Sequence, residues 1–350
     1  MALTVGAFVF VLGLLVVAHE LGHFLVAKLA GIGVEEFALG MGPRLWSFRL
    51  GETLYSLRAL PLGGFCRLKG ENPYEGRRSP SGSGADFYSA SVGVRTAVVA
   101  AGPLMNFLLA VLLFTTFFLL FGLTSQVSPE TVIGEVVPGG PAAEAGLLPG
   151  DRVLAVNGQA VHTWEELARQ INAHPGEEIV LSLLRSGRRL EVRVVPRPER
   201  PGGPGFIGIA PQVTSTVRVK PLEAFWIALA HTGHLIGSLF WGMIQLLTGQ
   251  IQGPLTGPIG IARMAGKAAR FGLDSLLNLT AIISIQLGIL NLFPLPALDG
   301  GRLVFLGLEA ARGRPINPEK EGFIHFIGFA LLMLFLLAIT FQDLRRLNLF

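Results

Sequence analysis

The chain has 350 residues, of which 51% are hydrophobic and only 15% charged, with a formal net charge of +4. Soluble domains carry about 25% charged residues, so these proportions exclude an ordinary soluble protein and fit a polytopic α-helical membrane protein with room for one soluble module of roughly 100 residues. No basic stripe interleaved with aromatics points to nucleic acid, and the single cysteine, Cys66, excludes an intrachain disulfide.

Residues 2–28 are the first apolar run long enough to cross a bilayer, within a first segment spanning 1–31. The run lacks a basic leading region and a small-residue cleavage site, so it reads as a membrane span and not as a signal peptide. Inside it stands His19-Glu20-Leu21-Gly22-His23. The two histidines are four residues apart and share one helical face, with Glu20 beside them. Two neutral imidazoles at this spacing bind Zn²⁺, and the intervening glutamate serves as general base. An ionisable group inside a span costs at least about 2.5 kcal/mol, and a cation compensates the carboxylate while engaging both rings. A hydrogen-bonded His/Glu cluster or a proton relay is the alternative reading.

Residues 32–94 hold glycine-punctuated alternating runs such as Gly51-Glu52-Thr53-Leu54-Tyr55-Ser56-Leu57-Arg58, which predict a β-hairpin or small sheet against the membrane. Arg44, Arg49, Arg58, Arg67, Lys69, Arg77 and Arg78 place this region on the cytoplasmic side. A second span covers 95–122. Residues 127–213 then alternate short β-type runs with Pro/Gly turns around one helix, for which Thr163 is the expected N-cap and Glu166 the capping-box acid. Strands are expected at 179–185 and 189–195. The stretch AEAGLLPGDRVLAVNG, residues 143–158, resembles a bacterial PDZ domain, a β-rich α+β fold. In that family a glycine-flanked apolar stretch opens the peptide groove, which maps here onto Gly205, Phe206, Ile207, Gly208 and Ile209, and an exposed strand edge there would take an extended peptide by strand addition.

Residues 219–270 are expected to form an amphipathic helical region outside the membrane. Hydropathy alone would count 221–248 as a span, but His231, His234, Ser238, Gln245 and Thr248 fall on one stripe, as an interfacial helix requires. The third span, 274–298, carries Asn278, Ser284, Gln286 and Asn291 and so faces protein. It ends in Asn291-Leu292-Phe293-Pro294-Leu295-Pro296-Ala297-Leu298-Asp299, where two prolines break the helix and let Asp299 turn inward, either as a third ligand or as an ordinary turn-capping aspartate. His231 and His234 are the rival pair. A cytoplasmic loop, 299–322, and a fourth span, 323–342, complete four crossings, with residue 253 outside. Four are needed because Asp299 must reach the side of the membrane to which His19 belongs.

Together, HELGH and NLFPLPALDGG resemble the site-2 protease family of intramembrane zinc metalloproteases, and most closely its bacterial members with a single PDZ domain. ALPLGGFCRLKGE, AAGPLMNF and GPLTGPIGIARMAG extend the resemblance over nearly the whole chain. The resemblance implies that His19, His23 and Asp299 bind one Zn²⁺, that Glu20 is the base, that Asn291 holds the substrate backbone and that the β-element clamps the substrate. Implied substrates are single-span membrane proteins, such as anti-sigma factors or remnant signal peptides, already shortened by another protease. The implied location is the bacterial cytoplasmic membrane with the PDZ domain outside. The groove could take a peptide C-terminus, or the module could act only as a size filter. An inert membrane PDZ scaffold and a metal or proton transporter are competing readings; a base beside the ligands favours the protease.

Overall fold

The computed structural model describes residues 2–71, 85–127, 130–198, 203–250, 256–314 and 316–346. Arg77, Arg78 and Gly253 lie outside the described residues. In chain order the elements are α1 (Ala2–Leu29), β1 (Val34–Leu50), β2 (Thr53–Leu68), α2 (Val92–Phe121), β3 (Leu123–Val127), β4 (Ile133–Val136), α3 (Pro141–Glu144), β5 (Arg152–Val156), β6 (Gln159–Ala160) and α4 (Trp164–Asn172). There follow β7 (Ile179–Arg185), β8 (Arg188–Val194), β9 (Arg197–Pro198), β10 (Gly205–Phe206), β11 (Ile209–Pro211), β12 (Val213–Val217), α5 (Pro221–Leu247), α6 (Pro258–Phe271), α7 (Leu273–Leu292), α8 (Asp299–Arg312) and α9 (Pro318–Arg346). The chain divides into two compact units, Met1–Leu120 with Lys220–Phe350, and Phe121–Val219.

In the helical unit α1 and α2 run antiparallel. Ala27, near the end of α1, shares a core with Val98 and Val99 near the start of α2, whereas Ala7, Val11 and Leu15 pack with Leu109 further along it. The same early part of α1 packs against Leu276, Leu279, Ile283 and Leu287 of α7. Among the described residues, five helices are long and apolar enough to cross a membrane: α1, α2, α5, α7 and α9. That is one more than the four crossings expected from sequence.

The extra candidate is α5, and its packing differs from a helix lying flat on a surface. His231 meets Phe114 and Phe118 of α2, while Phe240 meets Phe293 just beyond α7. After α5 the chain returns to the side on which α1 begins, since Gly266 of α6 lies against Thr4 and the Gly260 amide donates to Asp343, near the far end of α9, at 2.9 Å. The expected loop 299–322 also needs correction. Its first part is the helix α8, because the Gly300-Gly301 pair packs directly on the carbonyls of Leu292, Phe293 and Leu295, an approach that any Cβ would block.

The β-hairpin folds back on itself. The first part of β1 pairs on one side with β2 at 64–68 and on the other with β2 at 54–57, whose far side pairs with the last part of β1. Two bent strands thus act as four. Gly40, Gly42 and Gly63 take positive φ at the bends. Glu36 is 2% exposed and anchors the fold-back, accepting from Ser56 at 2.6 Å, Arg58 at 2.7 Å and Arg44 at 2.9 Å. Burial alone would raise its pKa; the hydrogen bonds from Ser56, Arg58 and Arg44 outweigh it and hold the carboxyl at about 2, below its ordinary 4.5. A folded value below the unfolded one means the stabilisation is complete above about pH 4.5 and lost as pH falls through about 2. Glu36→Gln should therefore destabilise the hairpin by roughly 3 kcal/mol at neutral pH and flatten its acid dependence in that window. Proteolysis of the hairpin against pH checks this; an unchanged acid profile in the variant would count against the anchor.

In the second unit β6-β5-β7-β8 form one antiparallel sheet, β4 pairs with β11, β9 with β10, and β3 with β12. Its core is Ile133, Val153, Val156, Leu167, Ile171, Ile179, Leu181, Leu183 and Ile207. Thr163 caps α4 as expected, accepting from the Glu166 amide at 3.2 Å, and the Glu166 carboxylate reaches back to the His162 amide at 2.8 Å.

Candidate metal centre

The site starts from a close crossing of two helices. Gly22 of α1 lies on the Ala101 carbonyl and on Gly102 of α2, nearer than any side chain would allow. Small residues let membrane helices approach in this way. On α1, His19 stands one turn before Gly22 and His23 directly after it, and Gly102 backs onto both rings.

Asp299 reaches the same point from the other end of the chain. α7 stops at Leu292, ahead of Pro294 and Pro296, and Ala297 takes φ 77° before α8 begins at Asp299. The loop is fixed from outside: the Ala297 amide donates to His325 Nδ1 of α9 at 2.9 Å, and Gly328 lies on Pro296. α8 is tied down by Arg302 to Glu71 and by a bidentate pair from Arg95 to Glu309 at 2.6 and 3.1 Å.

Three ligand atoms converge. His19 Nε2 and His23 Nε2 are 3.2 Å apart, and Asp299 Oδ2 lies 3.1 Å from the first and 3.4 Å from the second. Four-coordinate zinc with bonds of about 2.0–2.1 Å has ligand atoms about 3.3 Å apart, so the triangle matches one face of such a tetrahedron. The fit extends to the tautomers. His23 Nδ1 lies 2.9 Å from the Val98 carbonyl, which can only accept, so the proton sits on Nδ1 and the Nε2 lone pair points into the site. Among the described residues, His19, His23 and Asp299 are the group able to hold a metal ion. His231 is not part of it; its ring packs edge-on against Phe114 and Phe118, at 4.7 and 5.9 Å between centroids.

Glu20 follows His19 on α1 and faces the hairpin, where Gly64 of β2 lies against Val16 and the Glu20 side chain. Asn291 sits half-buried in the last turn of α7. In the second unit a groove of about 120 Å³ opens between α4 and the following strands, with Trp164, Leu167, Phe206, Gly208 and Ile209 among its lining. Ile207 also borders it, though its side chain belongs to the core. Gly205 does not line the groove and is buried against the Ile171 carbonyl and Pro196. Sequence reasoning missed Val98, Gly102 and Asn106. Gly102 and Asn106 lie in the quoted stretch AAGPLMNF, which gave them no role, and Asn106 also stands out as a polar residue in an apolar span.

A sequence profile of peptidase family M50 matches residues 7–335. The zinc metalloprotease RasP of Geobacillus kaustophilus is 37% identical over 97% of each chain. The regulator of sigma-W protease RasP of Bacillus subtilis is 33% identical over 98% of this chain and 99% of its own. A putative zinc metalloprotease of Clostridium acetobutylicum is 35% identical over 95% and 94%. Among solved structures, the PDZ domain of an SdrC-like protein from Listeria monocytogenes aligns with 25% of this chain and 92% of that one, at 18% identity and a TM-score of 0.22.

Proposed function

This chain belongs to peptidase family M50, and from that premise we propose that His19, His23 and Asp299 hold its zinc while Glu20 moves the proton during hydrolysis of a peptide bond within a substrate's membrane span. The chain is a zinc metalloprotease of the site-2 type, acting within the membrane. The observation that carries the residue assignment is the triangle of ligand atoms 3.1–3.4 Å on a side, set next to Glu20.

Zinc, when bound, supplies Lewis acidity that lowers the pKa of a water towards about 7. Glu20 would take the proton of the attacking water and pass it to the amine released as the peptide bond breaks. A substrate helix hides its amides in its own hydrogen bonds, so cleavage requires local unwinding and new partners. The strand at 64–68 of β2, paired on one side with β1 and passing Glu20 at Gly64, can supply them by strand addition. Asn291, in the last turn of α7, would hold the substrate backbone.

Orientation follows from arginines of the hairpin region and of α8, which favour the cytoplasm. The return of the chain to α1's starting side after α5 supports four net crossings, with the second unit outside the cytoplasmic membrane as a PDZ domain. Substrates on this reading are single-span proteins already trimmed outside the membrane. The Bacillus subtilis relative is named for regulation of sigma-W; anti-sigma factors and remnant signal peptides are the substrate classes proposed here.

Two experiments test the assignment. Asp299→Ala should cost zinc affinity at least about 100-fold, whereas His231→Ala/His234→Ala should leave it unchanged; the reverse result would overturn the ligand set. Deleting residues 127–213 should retain zinc and retain or raise cleavage of a truncated substrate, while full-length substrates are rejected less well. Loss of zinc from a well-folded deletion protein would contradict a filter role.

A further inference from the structure

The carbonyl of Val98 fixes the tautomer of His23, and His19 needs an equivalent. Its Nδ1 faces the side-chain amide of Asn106, whose nitrogen is 3.1 Å away. Asn106 is fully buried, its main-chain carbonyl accepts from Ser284 Oγ at 2.7 Å, and its Oδ1 is buried without a hydrogen-bond partner among the described residues. Two amide orientations, related by a half-turn, fill the same volume. With the nitrogen towards the ring, His19 must accept at Nδ1 and carry its proton on Nε2, which faces Asp299 and His23 and could then hold no metal. With Oδ1 towards the ring, Nδ1–H has an acceptor and the Nε2 lone pair is released into the site.

We propose that Asn106 is a positioning residue whose amide oxygen accepts the His19 Nδ1–H, fixing the ring and the tautomer that bind zinc. The pairing would make α2 the support for both histidines of α1: the Val98 carbonyl for His23 and the Asn106 amide for His19. The two are eight residues apart, about 12 Å along a helix, and stand on opposite sides of the Gly102 crossing. The proposal rests on His19 being a zinc ligand.

The test uses the full chain in detergent micelles. Zinc affinity is measured by chelator competition, and ligand geometry from the visible absorption of the Co²⁺-loaded protein. Asn106→Leu should weaken zinc about 10–100-fold and alter the cobalt spectrum, because the ring loses its acceptor. Asn106→Asp keeps an oxygen there and should stay within about threefold of the unmodified chain. Ser284→Ala breaks the neighbouring helix contact without touching His19 and should leave both readouts unchanged. An unmodified chain that binds zinc, with Asn106→Leu binding equally well and giving the same spectrum, would overturn the proposal while leaving the ligand set standing. Equal losses in Asn106→Leu and Ser284→Ala would reduce Asn106 to helix packing and also overturn it. Should Asn106→Leu fail to fold, Asn106→Asp decides: retained affinity supports the acceptor, and loss refutes it. No zinc in the unmodified chain would sink the ligand assignment, and the proposal with it.

Discussion

Glu20→Gln is expected to lower turnover of a single-span substrate by about 10²–10⁴-fold while the purified protein keeps one zinc per chain. Glutamine preserves the size and packing of the side chain against Gly64 of β2, so the hairpin and α1 have no reason to move. The three ligand atoms stay on His19, His23 and Asp299, whose separations do not involve Glu20. What disappears is a group able to take a proton from water and return it to the leaving amine, because an amide has no such basicity. Metal analysis and turnover measured on the same preparation check both halves. Substantial turnover by the zinc-loaded variant would remove Glu20 from the chemistry; loss of zinc would make it a structural member of the site.

A methyl group at residue 102 should do the opposite and empty the site. An alanine Cβ there would fall 2.5 Å from His23 Cε1 and 2.9 Å from His19 Cε1, and nearer still to His23 Nε2. Neither ring can retreat freely, since His23 is held by the Val98 carbonyl and the helices already touch at Gly22. Gly102→Ala should therefore weaken zinc by more than about 100-fold. Helix propensity alone favours alanine over glycine by about 1 kcal/mol, so a packing effect of opposite sign stands out against it. Gly93→Ala, in the same helix and with open space around it, serves as the control and should bind zinc normally. Normal zinc binding by Gly102→Ala would mean that the two helices are not held this closely in solution.

Much of the centre was legible in the sequence because its parts obey local rules. The four-residue spacing of His19 and His23 sets a shared helical face without reference to the rest of the chain. Pro294 and Pro296 announce a broken helix, and with it the turn that presents Asp299. Alternation and glycines marked the hairpin, and the Thr163 cap marked the start of α4. What escaped depends on partners distant in sequence. Val98 contributes a main-chain carbonyl, which no side-chain pattern reveals, and Gly102 matters only because His23 packs on it. α8 read as a loop because Gly-Gly after a proline-rich stretch is turn chemistry; its helix exists because those glycines seat against the carbonyls of Leu292, Phe293 and Leu295. The hairpin's double pairing was equally hidden, since Glu36 recruits Arg44 and Arg58 across a fold-back set by positive-φ glycines. The polar stripe of α5 suggested a helix lying on a surface, yet His231 on that stripe packs between phenylalanines of α2. An imidazole edge against an aromatic ring satisfies both polar and apolar neighbours, so the stripe alone could not choose.

The most direct test is cleavage by the full chain, reconstituted in lipid vesicles, of a single-span substrate whose outer portion has been trimmed. The account predicts hydrolysis of a peptide bond inside the substrate's apolar segment, abolished by a zinc chelator and restored by adding zinc back, with the products mapped by mass spectrometry. A folded, zinc-loaded chain that leaves the span intact, or cuts only outside it, would contradict it.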